Sequence, residues 1–184
     1  MESATPPGYP TELISEMVLA DDRHVRIRPV LPDDASQLAQ AVSRADHETL
    51  RLRFLGTPPT LDEAMLRHLV EVDYQRRLAL VALDDRGHGV GIARYEGAKG
   101  DDTAEVGIAV SPGWRRVGLG SELFLLLVQA AVARGIRRFR VQYLADNEEV
   151  ARLLSASRLR CRSVVSKGVV EAELDLTAPP QPPA

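Results

Sequence analysis

A chain of 184 residues, 45% of them hydrophobic, can bury one substantial core and is too short for two ordinary domains with a linker. Its formal net charge of -3 creates no broad basic field, so nucleic acid is not an expected partner even though arginines cluster locally. The single cysteine, Cys161, excludes an internal disulfide framework, fits a reducing cytoplasm, and reads as a small buried hydrophobe.

Met1 to Pro10 holds three prolines and a glycine and no basic region leading into an apolar run, so neither a secretory signal nor regular structure is expected there. Residues 1–15 are read as a flexible N-terminal segment, 20–176 as the folded domain, and 177–184, TAPPQPPA, as a disordered proline-rich tail. Val25-Arg26-Ile27-Arg28 alternates apolar and charged residues, which predicts a first strand beginning near His24. Pro32-Asp33-Asp34 then opens a helix with Leu38, Ala41, Val42 and Ala45 at helical spacing and the acidic pair at the positive end of its dipole. A second helix is expected from about Leu61 to Val70, capped by Thr60 after Pro58-Pro59.

Leu78 to Leu83 and Val90 to Tyr95 are short β-rich runs separated by Asp84 to Gly89, the pattern of a hairpin. Ala104 to Val110 adds a neighbouring strand, which makes an antiparallel meander. Pro112-Gly113 ends it, and a helix from Gly120 to about Arg134 stops at Gly135. This helix is the most apolar stretch of the chain, but Ser121, Glu122 and Gln129 interrupt it and it falls short of the roughly 20 residues that span a bilayer. It reads as a core helix, and no membrane partner is expected. Arg138 to Tyr143 is the next strand, then a helix from about Asn147 to Ala156, then a closing pair, Arg158 to Val165 and Val169 to Leu176, turning at Ser166-Lys167-Gly168. The plan is an α/β fold, a mixed, mostly antiparallel sheet flanked by helices. The crossover from Val110 to Arg138 through one helix places those two strands parallel.

Ser111 to Ser121 carries the clearest chemistry. It passes from a strand through a glycine-bearing turn into a helix N-terminus, which presents unpaired N–H groups and partial positive charge to an anion. Gly118 and Gly120 permit close backbone approach, and Arg115 and Arg116 add formal charge. A dinucleotide fingerprint would need a third glycine near the start of a parallel strand-helix-strand unit, and a Walker loop would need Gly-Lys-Ser/Thr; neither is present.

The run Arg115-Arg116-Val117-Gly118-Leu119-Gly120 resembles the Q/R-x-x-G-x-G/A acetyl-CoA signature of the GNAT N-acetyltransferases. The element order from Val25 to Leu176 resembles the whole GNAT domain, and Leu144-Ala145-Asp146-Asn147 resembles the later segment whose asparagine helps hold the cofactor arm. Leu52-Arg53-Phe54, Val72-Asp73-Tyr74 and Val90 to Tyr95 leading to Glu105 resemble the catalytic domain of bacterial Pat-type protein lysine acetyltransferases. Three positions depart from the pattern: the usual glycine and arginine inside the loop are Arg116 and Val117, and the tyrosine that many relatives carry as general acid is Leu154.

The resemblance implies acetyl-CoA as acyl donor and an amine, most readily a protein lysine, as acceptor. A small-molecule amine, and a non-catalytic acyl-CoA-sensing domain, are the alternatives. The backbone of Ile108 and Val110 should pair with the pantetheine arm, while Arg115, Arg116, Val117, Gly118, Leu119, Gly120, Ser121 and Asn147 should hold the rest of the cofactor. Glu105 is the candidate base, partly buried on the strand that leads into the site. The histidines His24, His47, His68 and His88 have no ligand spacing, so no metal is expected. The edge of the final hairpin suits pairing with a second copy in a homodimer.

Overall fold

The computed structural model describes residues 5–56 and 60–178, so Pro58 and Pro59, and most of the proline-rich tail, lie outside the described residues. Eight strands form one sheet: β1 (Ser15–Val18), β2 (His24–Pro29), β3 (Arg77–Leu83), β4 (Gly89–Gly97), β5 (Thr103–Val110), β6 (Arg138–Leu144), β7 (Arg160–Ser166) and β8 (Val169–Asp175), in the order β1-β2-β3-β4-β5-β6-β8-β7. Only β5 and β6 run parallel, as expected for strands joined by a helical crossover. The α-helices among the described residues are α1 (Ala35–Arg44), α2 (His47–Arg53), α3 (Glu63–Val70), α4 (Leu119–Ala133) and α5 (Glu148–Ala156).

Helix α4 makes the main core. Leu119, Leu123, Leu127, Ala130 and Ala131 are buried on it and pack with Leu78, Leu80, Ala82, Ala93 and Tyr95 of β3 and β4, while Leu125 and Val132 on its outer side are exposed. The opposite face of the sheet carries a smaller cluster of Val30, Val70 and Ala79, with Leu38 of α1 against it. Strand β3 is covered on both faces, so Leu78-Ala79-Leu80-Val81-Ala82 reads as a continuous apolar run rather than an alternation.

Four differences from the sequence reading have physical causes. Residues 9–18 belong to the fold: the Tyr9 hydroxyl donates to Pro29 O at 3.0 Å and its ring meets Tyr74 edge-on at 5.4 Å, after which β1 pairs with β2. Helix α3 begins at Glu63 because Asp62, not Thr60, accepts the Met65 N–H at 2.8 Å. Helix α2 has no counterpart in the reading; Asp46 caps it through the Thr49 N–H at 2.7 Å. Cys161 is exposed, because every residue of edge strand β7 is exposed and no helix covers it.

Asp34 does more than complement a dipole. It is buried and grips Arg28 through two bonds of 2.7 Å while accepting the Leu31 N–H, so a bidentate pair ties β2 to the start of α1. Asp73 has a comparable role at the turn into β3. One oxygen, Oδ1, accepts the N–H groups of Gln75, Arg76 and Arg77 at 2.7 to 2.9 Å, beside Tyr74 in the left-handed region at φ 56°. Desolvation works to raise the Asp73 pKa, but these backbone donors outweigh it and hold the carboxyl below its ordinary value. The folded value is thus lower than the unfolded one, so the contribution is present above about pH 3.9 and fades as pH falls through the folded value. Urea unfolding of wild type and Asp73→Asn between neutral pH and about pH 3 should show the wild-type advantage shrinking on acidification.

Candidate functional site

Strands β5 and β6 pair only from Thr103 with Arg138 to Val106 with Val141, and beyond that they part. The opening is a cleft of about 390 Å³ walled by Gly107 to Val110 on one side, Gln142 and Tyr143 on the other, and the start of α4 at its end. Ser111 donates its N–H to Val90 O, and in an antiparallel ladder the bonded pairs recur at every second residue. The bonds from β5 to β4 therefore fall at Ala109 and Gly107 with the register of those strands. The N–H and C=O of Ile108 and Val110 face the cleft instead. The Val110 carbonyl shows it directly, accepting Arg115 Nε at 3.0 Å.

The loop leading into α4 is a tight turn. Trp114 N–H bonds Ser111 O, Arg116 stands at φ 62°, and Gly118 at φ 93° precedes the helix. A side chain at Gly118 would be strained at that angle, which is the reason for a glycine there. The first backbone bond within α4 runs from Glu122 N–H to Gly118 O, so the N–H groups of Leu119, Gly120 and Ser121 precede the ladder and are free for an anion. Arg115 stretches along the wall, donating to Thr49 Oγ1 at 2.8 Å with Glu149 3.7 Å away.

Of the residues singled out in the sequence, Ile108, Val110, Arg115, Arg116, Gly118, Gly120, Ser121 and Asn147 line this one cleft. Val117 and Leu119 do not line it. Leu119 is fully buried under the sheet, and Val117 packs against the main core while its carbonyl accepts the Ala20 N–H. Asn147 is buried, and its Oδ1 caps α5 by accepting the Val150 N–H at 3.2 Å, leaving its amide N–H groups as donors. Leu154 is also in the wall, so no hydroxyl stands at that position. Tyr143 is in the wall as well, and desolvation pushes its hydroxyl above the ordinary range.

Glu105 differs from its expected partial burial: it is exposed. Its cross-strand neighbours are Glu96 on β4 and Arg140 on β6. Helix α2 packs against β5 and β6 but places Leu52 and Arg53 over the cleft, leaving Glu105 open. Two residues further along that face, Arg53 lies on Gly107, and a Cβ there would stand 2.8 Å from its Cζ. A side chain at that position would make the guanidinium shift from where it lies. Desolvation, and after it the charge of Arg94, pull Arg53 below its ordinary value.

Thr49 and Arg53 reach the site from α2; the sequence reading assigned no role to Thr49 or Gly107, and Arg53 stood in it through the Leu52-Arg53-Phe54 resemblance, open between a solvated arginine and a place in the acceptor cleft. Asp46 followed by Thr49 is a readable N-cap signal for the helix that delivers Thr49 and Arg53. Among the described residues no group of three or more His, Cys, Asp or Glu side chains is placed to hold a metal ion, and no helix is long and apolar enough to cross a membrane.

Comparison with known proteins bears on the family and the fold. The family model for the acetyltransferase (GNAT) domain matches residues 24–160. A curated relative, Acetyltransferase PA5475 of Pseudomonas aeruginosa, is 33% identical over 132 residues, covering 70% of this chain and 69% of its own. Among solved structures, the GNAT domain of S. lividans PAT superposes with a TM-score of 0.83 at 26% identity, over 91% of this chain and 99% of that one. A cAMP-binding acyltransferase from Mycobacterium smegmatis superposes with a TM-score of 0.63 at 26% identity, over 91% of this chain and 49% of that one.

Proposed function

This chain belongs to the GNAT acetyltransferase family, and from that premise we propose that it transfers an acetyl group from acetyl-CoA to a protein lysine. The observation that carries the reading is the parting of β5 from β6, which leaves the Ile108 backbone and the Val110 N–H turned to the cleft beside the unpaired N–H groups that open α4, with the Val110 carbonyl held by Arg115. The first would pair with an amide-bearing arm and the second would take phosphate oxygens, with Arg115 and Arg116 adding charge. Asn147 would donate its amide to the arm from the other wall. Acetyl-CoA supplies the acetyl group as an activated thioester.

The acceptor has to lose a proton first. A lysine amine with pKa about 10.4 costs roughly 4–5 kcal/mol to deprotonate at neutral pH, so a base is required. Glu105 is exposed on the strand that lines the cleft and has no ion-pair partner among the described residues, whereas Glu96 beside it is taken up by Arg94, Arg77 and His68. It takes the proton directly or through a water, and the docked acceptor then shields it from solvent. Leu154 has no proton to give, so the thiolate that leaves when the C–S bond breaks is protonated by water or by the proton the amine releases. Likeness to the S. lividans PAT domain and the sequence resemblance to Pat-type enzymes favour a lysine acceptor over a small amine.

Acetyl-CoA binding by calorimetry, combined with thiol release in the presence and absence of a lysine-bearing protein extract, tests the proposal. The expected result is binding together with release that depends on the extract. Release only with small amines would transfer the reading to those acceptors. Binding without release to any acceptor would make the chain an acyl-CoA sensor.

A further inference from the structure

The face of the sheet that carries Glu105 holds more positive charge than its own carboxylates neutralise. Arg94 is 7% exposed; its Nη2 reaches Glu96 at 3.1 Å, while its Nη1 is buried without a hydrogen-bond partner among the described residues. Glu96 is shared further, with Arg77 at 3.4 Å and His68 at 3.1 Å. Asp73 is already occupied by three backbone N–H groups. Arg53 sits in the wall of the cleft over Gly107, with the Phe54 ring and the Arg94 charge as its neighbours and no carboxylate paired to it among the described residues. Arg94 and Gly107 are themselves cross-strand partners, so the two guanidinium groups meet at one spot.

The guanidinium groups of Arg94 and Arg77 thus share the one carboxylate of Glu96, and Arg53 beside them has none among the described residues. A desolvated charge without a counter-charge is costly, and an incoming anion relieves that cost. A purely cationic acceptor, such as a polyamine, would be repelled at the same place. We propose that Arg53, with Arg94 behind it, is a specificity site for a carboxylate close to the acceptor amine, so that the substrate is a lysine flanked by acidic residues. This deepens the lysine reading and rests on it. Glu105 and Gly107 stand two residues apart on one face, about 7 Å. That is a span across which a lysine amine can meet Glu105 while the carboxylate of a neighbouring Asp or Glu meets Arg53.

Two peptides identical except for glutamate or glutamine on both sides of a single lysine test it. Wild type is expected to show kcat/KM higher by about tenfold or more for the glutamate peptide, the scale of one charge-assisted hydrogen bond. In Arg53→Gln the ratio falls towards one, and Arg53→Lys, which keeps charge without the planar fork, gives an intermediate ratio. Calorimetric binding of both peptides to the protein loaded with coenzyme A supplies a readout without turnover. A wild-type ratio near one, or a preference that survives in Arg53→Gln, overturns the proposal. If neither peptide is acetylated but the glutamate peptide binds more tightly only when Arg53 is present, the lysine reading falls and the anion site stands. Equal acetylation of both peptides leaves the lysine reading standing and removes the anion site. Equal binding without acetylation removes both.

Discussion

Glu105→Gln is expected to lower kcat by about 10²–10⁴, the usual worth of a positioned general base, while acetyl-CoA affinity measured by calorimetry holds. The substitution preserves shape, and Glu105 lies outside the cleft wall that holds Ile108, Val110 and the start of α4. The pH profile separates a base from a surface residue. Without a base, reaction depends on the fraction of acceptor already neutral, so the variant's kcat/KM should climb about tenfold per pH unit towards the lysine pKa of about 10.4. A variant that keeps wild-type kcat and the wild-type profile would remove Glu105 from the mechanism.

Phe139→Ala carries the largest expected loss of stability. Phe139 is fully buried near the start of β6, its ring 6.0 Å from Tyr95 and 6.2 Å from Phe124, with Ala104 and Leu174 as cross-strand partners. It therefore joins the sheet, α4 and the last strands at one point. Deleting a buried ring of this kind costs about 3–5 kcal/mol through lost transfer energy and an unfilled cavity, against a total of about 5–15 kcal/mol for a typical domain. For a chain of this length the melting temperature should fall on the order of 10 °C. Phe139 also stands two positions before Val141, the last β6 residue paired with β5, so the edge of the cleft should loosen with it. Denaturant unfolding gives the stability change, and a midpoint close to wild type would mean that the cavity collapses around neighbouring side chains.

These two residues differ in how far they could be read in advance. Strands β3, β4 and β5 and helix α4 were legible because their signal is local: an apolar run bounded by turn residues, and a long apolar helix opened and closed by glycine. The turn from Val110 to Ser121 was legible for the same reason, since a helix N-terminus after a glycine creates its own donors. Strand β1 was not, because Ser15-Glu16-Met17-Val18 is four residues long and owes its conformation to the ladder that β2 offers it. Helix α2 is seven residues long, too short to announce itself by periodicity, and its cap at Asp46 was the only local sign.

The sequence by itself determined the class of fold and the glycine-bearing turn that opens α4, because backbone geometry and hydrophobic period are properties of contiguous residues. It also placed Glu105 on the strand next to the loop. Tertiary structure alone decided what surrounds that glutamate. Where α2 lands on the sheet leaves Glu105 exposed and sets Arg53 on Gly107, residues separated along the chain by a loop, a helix and two strands. Burial and counter-charge depend on which distant groups share a space, and no pattern within a short window of sequence contains that information.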